Sequence, residues 1–578
     1  MKNWKDQLNA LKSALRGSKP SGKGDEKPSK IDFEPPQSWL SGDSSESIPV
    51  GRAKGRSSAT PSPASVDSRQ TSVEDRITST VQKPIRPSDT PSPTNLPAGL
   101  STAASNVEKT PVFRPRLDLG RSLNTPEWIS LGKSLHHQYQ QSQKAAPMVV
   151  RIGVDFGTAF TKVAIRAGVD LVTVDWAPIT GDESPIGRSV MPGLVVRGRD
   201  GEYSWRHQAD SEIQGNLKLP AIERVGSNEC PVATLAFLAL AIRYARAFLY
   251  RHPEVGRKLM ARSLRWELNL GCPTEPHENL QVVELFERLA RTAWQLAARD
   301  GCREADVIAA WRSDEISVGL ETAPCVVPEF VAQIAGYLRS PQVTEGLHAM
   351  IDVGAATVDV ATFNVVMPQN GDSVPRIPIF FSTVRPLGTH YLSHNRHSKL
   401  GLDLEWDDAV PVDPADEFAH RHGKLKSEVD TVDAQFESQV TQRIVGVIDS
   451  TRTSARGVPG HRDQFGHYSE GSVWAEGLPI FVTGGGASCE VYRRAIDSAL
   501  IEMKRRMGVS RSFRFIELDP LGGMDHEFDL EVGSRLTVAI GLTEDAEDIA
   551  RVIPHRDIEA ISPGRRQRVD HTEIYGDH

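Results

Sequence analysis

Two turns of the same make constrain this chain more than any other feature. Asp155-Phe156-Gly157-Thr158-Ala159-Phe160-Thr161-Lys162 and Asp352-Val353-Gly354-Ala355-Ala356-Thr357-Val358-Asp359 each end a hydrophobic run, Val149–Val154 in the first case and Ala349–Val353 in the second. In both, an acid closes the strand, a glycine lets backbone approach closely, and a threonine supplies a hydroxyl. A single turn of this kind closes a strand for steric reasons alone. Two near-matching copies 197 residues apart ask for two similar lobes that face each other across a cleft. At 578 residues, the chain exceeds the size at which one core keeps growing, so it has the length for both.

A third turn, Thr483-Gly484-Gly485-Gly486-Ala487-Ser488, follows the hydrophobic run Ile480–Val482, and its Gly484 lies 132 residues beyond Asp352. Its glycines suit a nucleoside lying against bare backbone. Backbone N–H groups and threonine hydroxyls bind phosphate oxygens. The carboxylates of Asp155 and Asp352 suit Mg²⁺ held through its water shell, because that ion gives up water reluctantly. Together these are the parts of a nucleotide phosphate site.

The surrounding pattern is α/β. Lys162–Arg166 resumes the first strand after its turn, which predicts a hairpin. Helical periodicity covers Ala233–Leu249 and Val282–Ala297, with Val282, Leu285, Phe286, Leu289, Ala293 and Leu296 on one stripe of the second. Strand-like runs at Trp266–Leu270, Glu315–Leu320, Ala349–Val353 and Ile480–Val482 alternate with these helices. The expected division is lobe I over 147–345, lobe II over 346–534, a helix within 535–550 returning to lobe I, and a tail over 551–578.

Residues 1–146 read differently. Between 41 and 110 there are 15 serines and 8 prolines, too few large apolar side chains remain to offset the entropy of ordering, and a disordered arm is expected. Two short helices are predicted within it. One, near 2–16, carries Trp4, Leu8, Leu11 and Leu15 among basic residues. The other, near 126–142, starts at Thr125-Pro126-Glu127-Trp128, an N-cap followed by proline and an acidic first turn. Each would dock on a partner protein or pack back on the chain itself, and the first would also suit an anionic membrane surface.

The three turns, in their order, resemble the phosphate 1, phosphate 2 and adenosine motifs of the superfamily that unites actin, sugar kinases and the 70-kDa heat-shock chaperones. The resemblance covers about 148 to 550. Glu329-Phe330-Val331-Ala332-Gln333-Ile334-Ala335-Gly336-Tyr337 is similar to the chaperones' Glu-Pro-x-Ala-Ala-x-x-Ala-Tyr helix, and Arg535–Thr543 to the small-residue helix that crosses between lobes. The turn spacings look more like a heat-shock-70 nucleotide-binding domain than a compact bacterial actin. What the resemblance implies is a two-lobed actin-like fold of duplicated ribonuclease-H-like lobes binding ATP or ADP with Mg²⁺.

It also implies roles. Asp155 and Asp352 would position Mg²⁺ and its waters. Gly157, Thr158, Ala159, Gly354 and Thr357 would contact phosphates, and Gly484, Gly485 and Gly486 would pass beneath the adenosine. Glu329 would orient the attacking water, with Asp359 on the same side. Two lysines compete to neutralise the transferred phosphoryl group: Lys162, where actins and many sugar kinases carry one, and Lys218 in Asn216-Leu217-Lys218-Leu219-Pro220, similar to the chaperones' catalytic lysine. The chain departs from the chaperone pattern at Gly354-Ala355-Ala356-Thr357, where alanines replace glycines. It departs again at Ser488, where an adenine-stacking arginine would stand, and at Pro328, which precedes Glu329 rather than following it.

Composition excludes other classes. A net charge of −8 gives no basic footprint for nucleic acid. Five scattered cysteines with no CxxC pair argue against a disulfide scaffold or a zinc cluster, and the N-terminus has no apolar signal core. The longest largely apolar run, Val232–Ile242, has 11 residues against the roughly 20 that span a bilayer, so no transmembrane segment is expected and the compartment is read as cytoplasmic. His390, His394 and His397 lack the zinc-protease pattern and read as exposed helix residues; Glu405–Asp416 reads as a solvated acidic loop. Only 28 residues follow 550, too few for a client-binding domain. The function expected is therefore a slowly hydrolysing, chaperone-like ATP switch acting through partner proteins. A filament-forming actin-like ATPase and a nucleotide-sensing scaffold without turnover are the alternatives.

Overall fold

The computed structural model describes residues 147–555, save 207, 209, 224–228, 261, 274–278, 300, 314–319, 321, 369–373, 404–411, 458–475, 509–512 and 519–529. The arm with its two expected helices, the tail beyond 555, the strand predicted at Glu315–Leu320 except for Leu320, and most of the acidic loop lie outside the described residues.

The first sheet starts with β1 (Met148–Phe156), β2 (Phe160–Ala167) and β3 (Asp170–Thr173), an antiparallel meander. β4 (Met191–Pro192) pairs with β2, and β5 (Val195–Arg197), β6 (Tyr203–Ser204) and β7 (Glu212–Gln214) form a small separate sheet. β8 (Leu264–Cys272) then runs parallel to β1, and β9 (Cys325–Pro328) parallel to β8. The order is β3-β2-β1-β8-β9.

The second sheet repeats that plan strand for strand. β10 (Gly346–Val353), β11 (Val358–Val365) and β12 (Arg376–Arg385) form an antiparallel meander. β13 (Leu478–Thr483) pairs parallel to β10, β14 (Phe513–Phe515) parallel to β13, and β15 (Arg551–Ile553) adds an edge beyond β12. Each lobe's first strand is thus central and flanked on both sides, which is why Val149–Val154 and Ala349–Val353 read as near-continuous hydrophobic runs. The fold is two α/β lobes on one duplicated plan.

Seven of the helices that clothe the sheets bear on the site: α1 (Val232–Arg251), α2 (Leu280–Ala297), α3 (Glu329–Arg339), α4 (Thr389–Leu400), α5 (Lys426–Gly457), α6 (Glu490–Met507) and α7 (Leu530–Gly541). The stripe predicted on α2 is buried throughout. α1 is longer than its apolar core suggested. Its 20 residues suffice by length and composition to cross a membrane, but 83% of the most apolar window is buried inside the protein, so core packing accounts for its character. α5 and α6 cover one face of the second sheet, with Phe436, Ile444, Ile448, Tyr492 and Ala495 against Leu347, Ile351 and Ile480.

α3 and α7 form the layer between the lobes. One side of α7 packs Leu536, Ala539 and Ile540 against Ala164 of β2. α3 and the other side of α7 pack Phe330, Ile334 and Val538 against Met350, Phe363 and Phe481 of the second sheet. Small residues let these elements meet: a Cβ on Gly541 would collide with the Ala332 carbonyl, and one on Gly153 would lie 2.7 Å from the Leu542 side chain. Backbone carbonyls cannot swing aside as a side-chain tip can, so the two helices would have to separate. Gly541→Ala is accordingly expected to lower stability by about 1–3 kcal/mol in urea denaturation; a neutral or stabilising result would contradict this packing.

Candidate functional site

The register of the two hairpins builds the site. In the first, Asp155 lies directly across from Lys162. In the second, the same seven-residue step sets Asp352 across from Asp359. Gly157 makes the first turn tight, since a Cβ there would strike the Phe160 carbonyl. In the second, the Gly354 amide donates to the Thr357 carbonyl at 2.8 Å. The start of α4 pins this turn from outside: the amides of Gly388, Thr389 and His390 donate to the carbonyls of Ala356, Gly354 and Ala355. Ala355 and Ala356 are therefore held by one backbone bond each, and Gly354 by the third. Nothing in the local sequence marks Gly388, although a Cβ there would run into Ala355.

Lobe I supplies both lysines as ion pairs. Lys162 Nζ donates to Asp155 Oδ2 at 2.9 Å, and Lys218 Nζ to Glu329 Oε1 at 2.6 Å. Lys218 stands at the start of the short helix Lys218–Glu223. Ahead of it Asn216 takes φ 49°, the single positive φ among described non-glycine residues, a conformation asparagine tolerates. The Leu217 carbonyl accepts from Thr234 Oγ1 of α1 at 2.7 Å. Glu329 opens α3, and Gly271 of β8 makes space for it, because a Cβ at 271 would lie 3.0 Å from Glu329 Cγ. The two rival lysines are thus not alternatives for one place, since each is paired with a different acid.

Lobe II supplies carboxylates without such partners. Asp352 Oδ1 and Asp359 Oδ1 are buried and make no hydrogen bond. Burial, then Glu329, raises the Asp352 carboxyl to about 6, with Lys162 opposing. Burial, then Asp352 and Glu329, pushes Asp359 well above the carboxylate range, although the Thr357 hydroxyl opposes this. Glu329 is likewise raised by burial against the pull of Lys218. Burial also works against the charge on Lys218, but Glu329 outweighs it and the ammonium is favoured. The 2.6 Å contact between the two is best described as an ion pair.

Asp155, Glu329, Asp352 and Asp359 therefore gather four carboxyl groups from both lobes around two ammonium groups. A small chamber of about 10 Å³, roughly one water, lies beside them, lined by Glu329, Gln333, Asp352, Asp359 and Thr383 among others. Gln333 Oε1 and Thr383 Oγ1 are also buried there without partners. Gln333 had a sequence signal, one helical turn after Glu329; Thr383 had none. The acceptor surplus fits Mg²⁺.

The glycine turn closes over this acid cluster. Gly484, at φ 86°, packs so tightly on Asp352 Oδ1 and the Val353 carbonyl that no side chain fits, and the Gly486 amide donates to that carbonyl at 2.9 Å. A Cβ on Gly485 would lie 2.7 Å from Arg535 Nη1. Arg493 Nε donates to the Ser488 carbonyl at 3.0 Å. So although Ser488 itself carries no guanidinium, two arginines flank the turn: Arg535, first residue of the Arg535–Thr543 run, and Arg493, which no motif singles out.

Two doubled lobes whose acidic turns meet at one point make this an actin-like fold. Among solved structures the chain is similar to MreB 5 of Spiroplasma citri bound to AMPPNP, at 12% identity and TM-score 0.35 over 69% of this chain and 95% of that one. It is also similar to a pCBH ParM non-polymerisable quadruple mutant, at 11% identity and TM-score 0.33 over 69% and 98%. No protein-family model matches the chain, and a search of curated proteins finds no match.

The histidines behave otherwise than expected. His390 is buried rather than exposed, and His394 and His397 are half-buried. His397 packs edge-on against Phe418 and His422.

The raised Asp352 carboxyl has a measurable consequence. The fold favours its protonated form, so it costs stability as pH rises from about 4 through about 6, and nothing below. Asp352→Asn is expected to stabilise the nucleotide-free protein by about 1–3 kcal/mol at pH 7.5 and not at pH 4. Urea denaturation at both values checks this; equal effects at the two pH values would contradict it.

Proposed function

We propose that this chain binds ATP with Mg²⁺ between its lobes and hydrolyses it slowly, as a chaperone-like switch whose partners respond to the nucleotide state. The observation that supports this most is the meeting of Asp155, Lys162, Lys218 and Glu329 from one lobe with Asp352 and Asp359 from the other. Phosphoryl transfer asks for positioning and for charge neutralisation more than for covalent chemistry.

On this reading, the turn backbones at Gly157–Ala159 and Gly354–Thr357 bind phosphate oxygens, with the Thr158 and Thr357 hydroxyls. Gly484–Gly486 offers a flat floor for the adenosine. When bound, Mg²⁺ would be held through water by Asp155 and Asp352 and would neutralise phosphate charge. Lys162 leaves Asp155 for the γ-phosphoryl oxygens. Glu329, kept ionised by Lys218, orients a water and takes its proton as the water oxygen bonds phosphorus. The bond to the β-phosphate oxygen breaks, and ADP and phosphate leave. The Lys218–Glu329 pair is the observation that favours chaperone-like chemistry. Lys162, at the actin-type position and already on Asp155, favours the second reading of a filament-forming ATPase. The partners, the oligomeric state and a cytoplasmic setting belong to the proposal.

ATP at 100 times Kd is expected to stabilise the full chain by about 2.7 kcal/mol, visible as a higher Tm. Asp155→Ala should lose that shift. Glu329→Gln should keep it while slowing phosphate release about 100-fold or more. No ATP shift in the wild type would remove the reading. A normal shift with unchanged release in Glu329→Gln would remove Glu329 from its role. ATP-dependent sedimentation of the wild type would favour the filament over the switch.

A further inference from the structure

Helix α1 carries two buried arginines, and only one has its hydrogen bonds accounted for. Arg243 donates to the carbonyls of Leu296 at 3.0 Å, Ala297 at 3.1 Å and Arg299 at 2.9 Å, closing the C-terminal end of α2. Arg246, nearly one turn later, is 0% exposed, and its Nε, Nη1 and Nη2 have no hydrogen-bond partner. Its Cζ sits 3.4 Å from the ring centre of Trp294 and 5.9 Å from that of Trp266. Trp266 Nε1, equally buried, has no acceptor either.

These groups are donors only. A guanidinium brings five N–H groups and an indole one more, and neither accepts. Indole faces satisfy the flat side of a cation but none of its N–H edges. The ionisable groups acting on Arg246 are Tyr250 and Arg243, with no carboxylate among them. Burial, and then the like charge of Arg243, work against its ionisation, yet arginine does not surrender its proton in proteins. A buried, unpaired charge of this kind requires a counter-charge within hydrogen-bond reach.

We propose that Arg246, where α1 meets Trp294 of α2 and Trp266 of β8, holds a buried small monovalent inorganic anion such as chloride, which accepts from the guanidinium edge and from Trp266 Nε1. One charge suffices, because Arg243 is already committed to the end of α2. A small anion is indicated because Arg246, Trp266 and Trp294 are each no more than 1% exposed, so the occupant is enclosed with the core. None of its residues lines the chamber beside the acid cluster.

The test uses the full chain and the halides themselves. In crystals grown with bromide in place of chloride, an anomalous peak is expected against the guanidinium edge of Arg246. In solution, Tm should rise by about 1–3 °C as chloride replaces gluconate at constant ionic strength, and Arg246→Met should abolish the dependence. Ordered water or a carboxylate of the chain at Arg246 in place of bromide would overturn the proposal. So would an undiminished chloride dependence in Arg246→Met. If that variant fails to fold, the bromide peak in the wild type decides alone.

Discussion

Everything at the candidate site depends on a seven-residue step around a tight turn. In each lobe the turn sets residue 155 or 352 across from the residue seven later, with no freedom to slip, because the first strand is central and buried on both faces. The partner differs between copies. Lobe I places Lys162 there and neutralises its acid; lobe II places Asp359 there, a second buried carboxyl that burial and Asp352 push toward its protonated form. That asymmetry leaves two buried carboxyls without an ammonium partner on lobe II, facing the two ion pairs of lobe I. It is the arrangement that a charged, metal-bearing ligand between the lobes would relieve.

The lobes are tied to one another by more than charge. α3 and α7 lie between the sheets, joined at Gly541 and Ala332 by backbone approach, with aromatic packing of Phe330 on Phe363 at 5.2 Å behind them. Glu329 is the first residue of α3. Any movement of lobe II relative to α3 therefore acts on the carboxylate that Lys218 holds. Stability and site geometry share one helix, and the raised carboxyls mark where the fold accepts strain from unmatched charge.

Much of this was legible in the sequence, for identifiable reasons. The two turns, the first hairpin and the stripe on α2 follow from local periodicity and glycine placement. The strands predicted at Val149–Val154, Lys162–Arg166, Ala349–Val353 and Ile480–Val482 came within three residues of the observed bounds, whereas the second hairpin's return strand is not among those predicted. Both lysines stand out in the sequence, although sequence alone sets them as rivals when each pairs with a different acid. What was not legible is what long-range packing decides. Gly388 and Gly271 are important through neighbours far along the chain, and Thr383 enters the site only because β12 lies beside β11. Arg493 and Arg535 reach the glycine turn from separate helices. His390 is buried because α4 seats on the second turn, which periodicity over a mostly polar helix does not reveal.

The most direct measurement is a crystal structure of the full chain with Mg²⁺ and a non-hydrolysable ATP analogue. The account predicts the phosphates between the Gly157–Ala159 and Gly354–Thr357 turns, with Lys162 moved from Asp155 onto a phosphate oxygen and the adenosine over Gly484–Gly486. Analogue bound elsewhere, or an intact Lys162–Asp155 pair with no analogue in the cleft at saturating concentration, would contradict it.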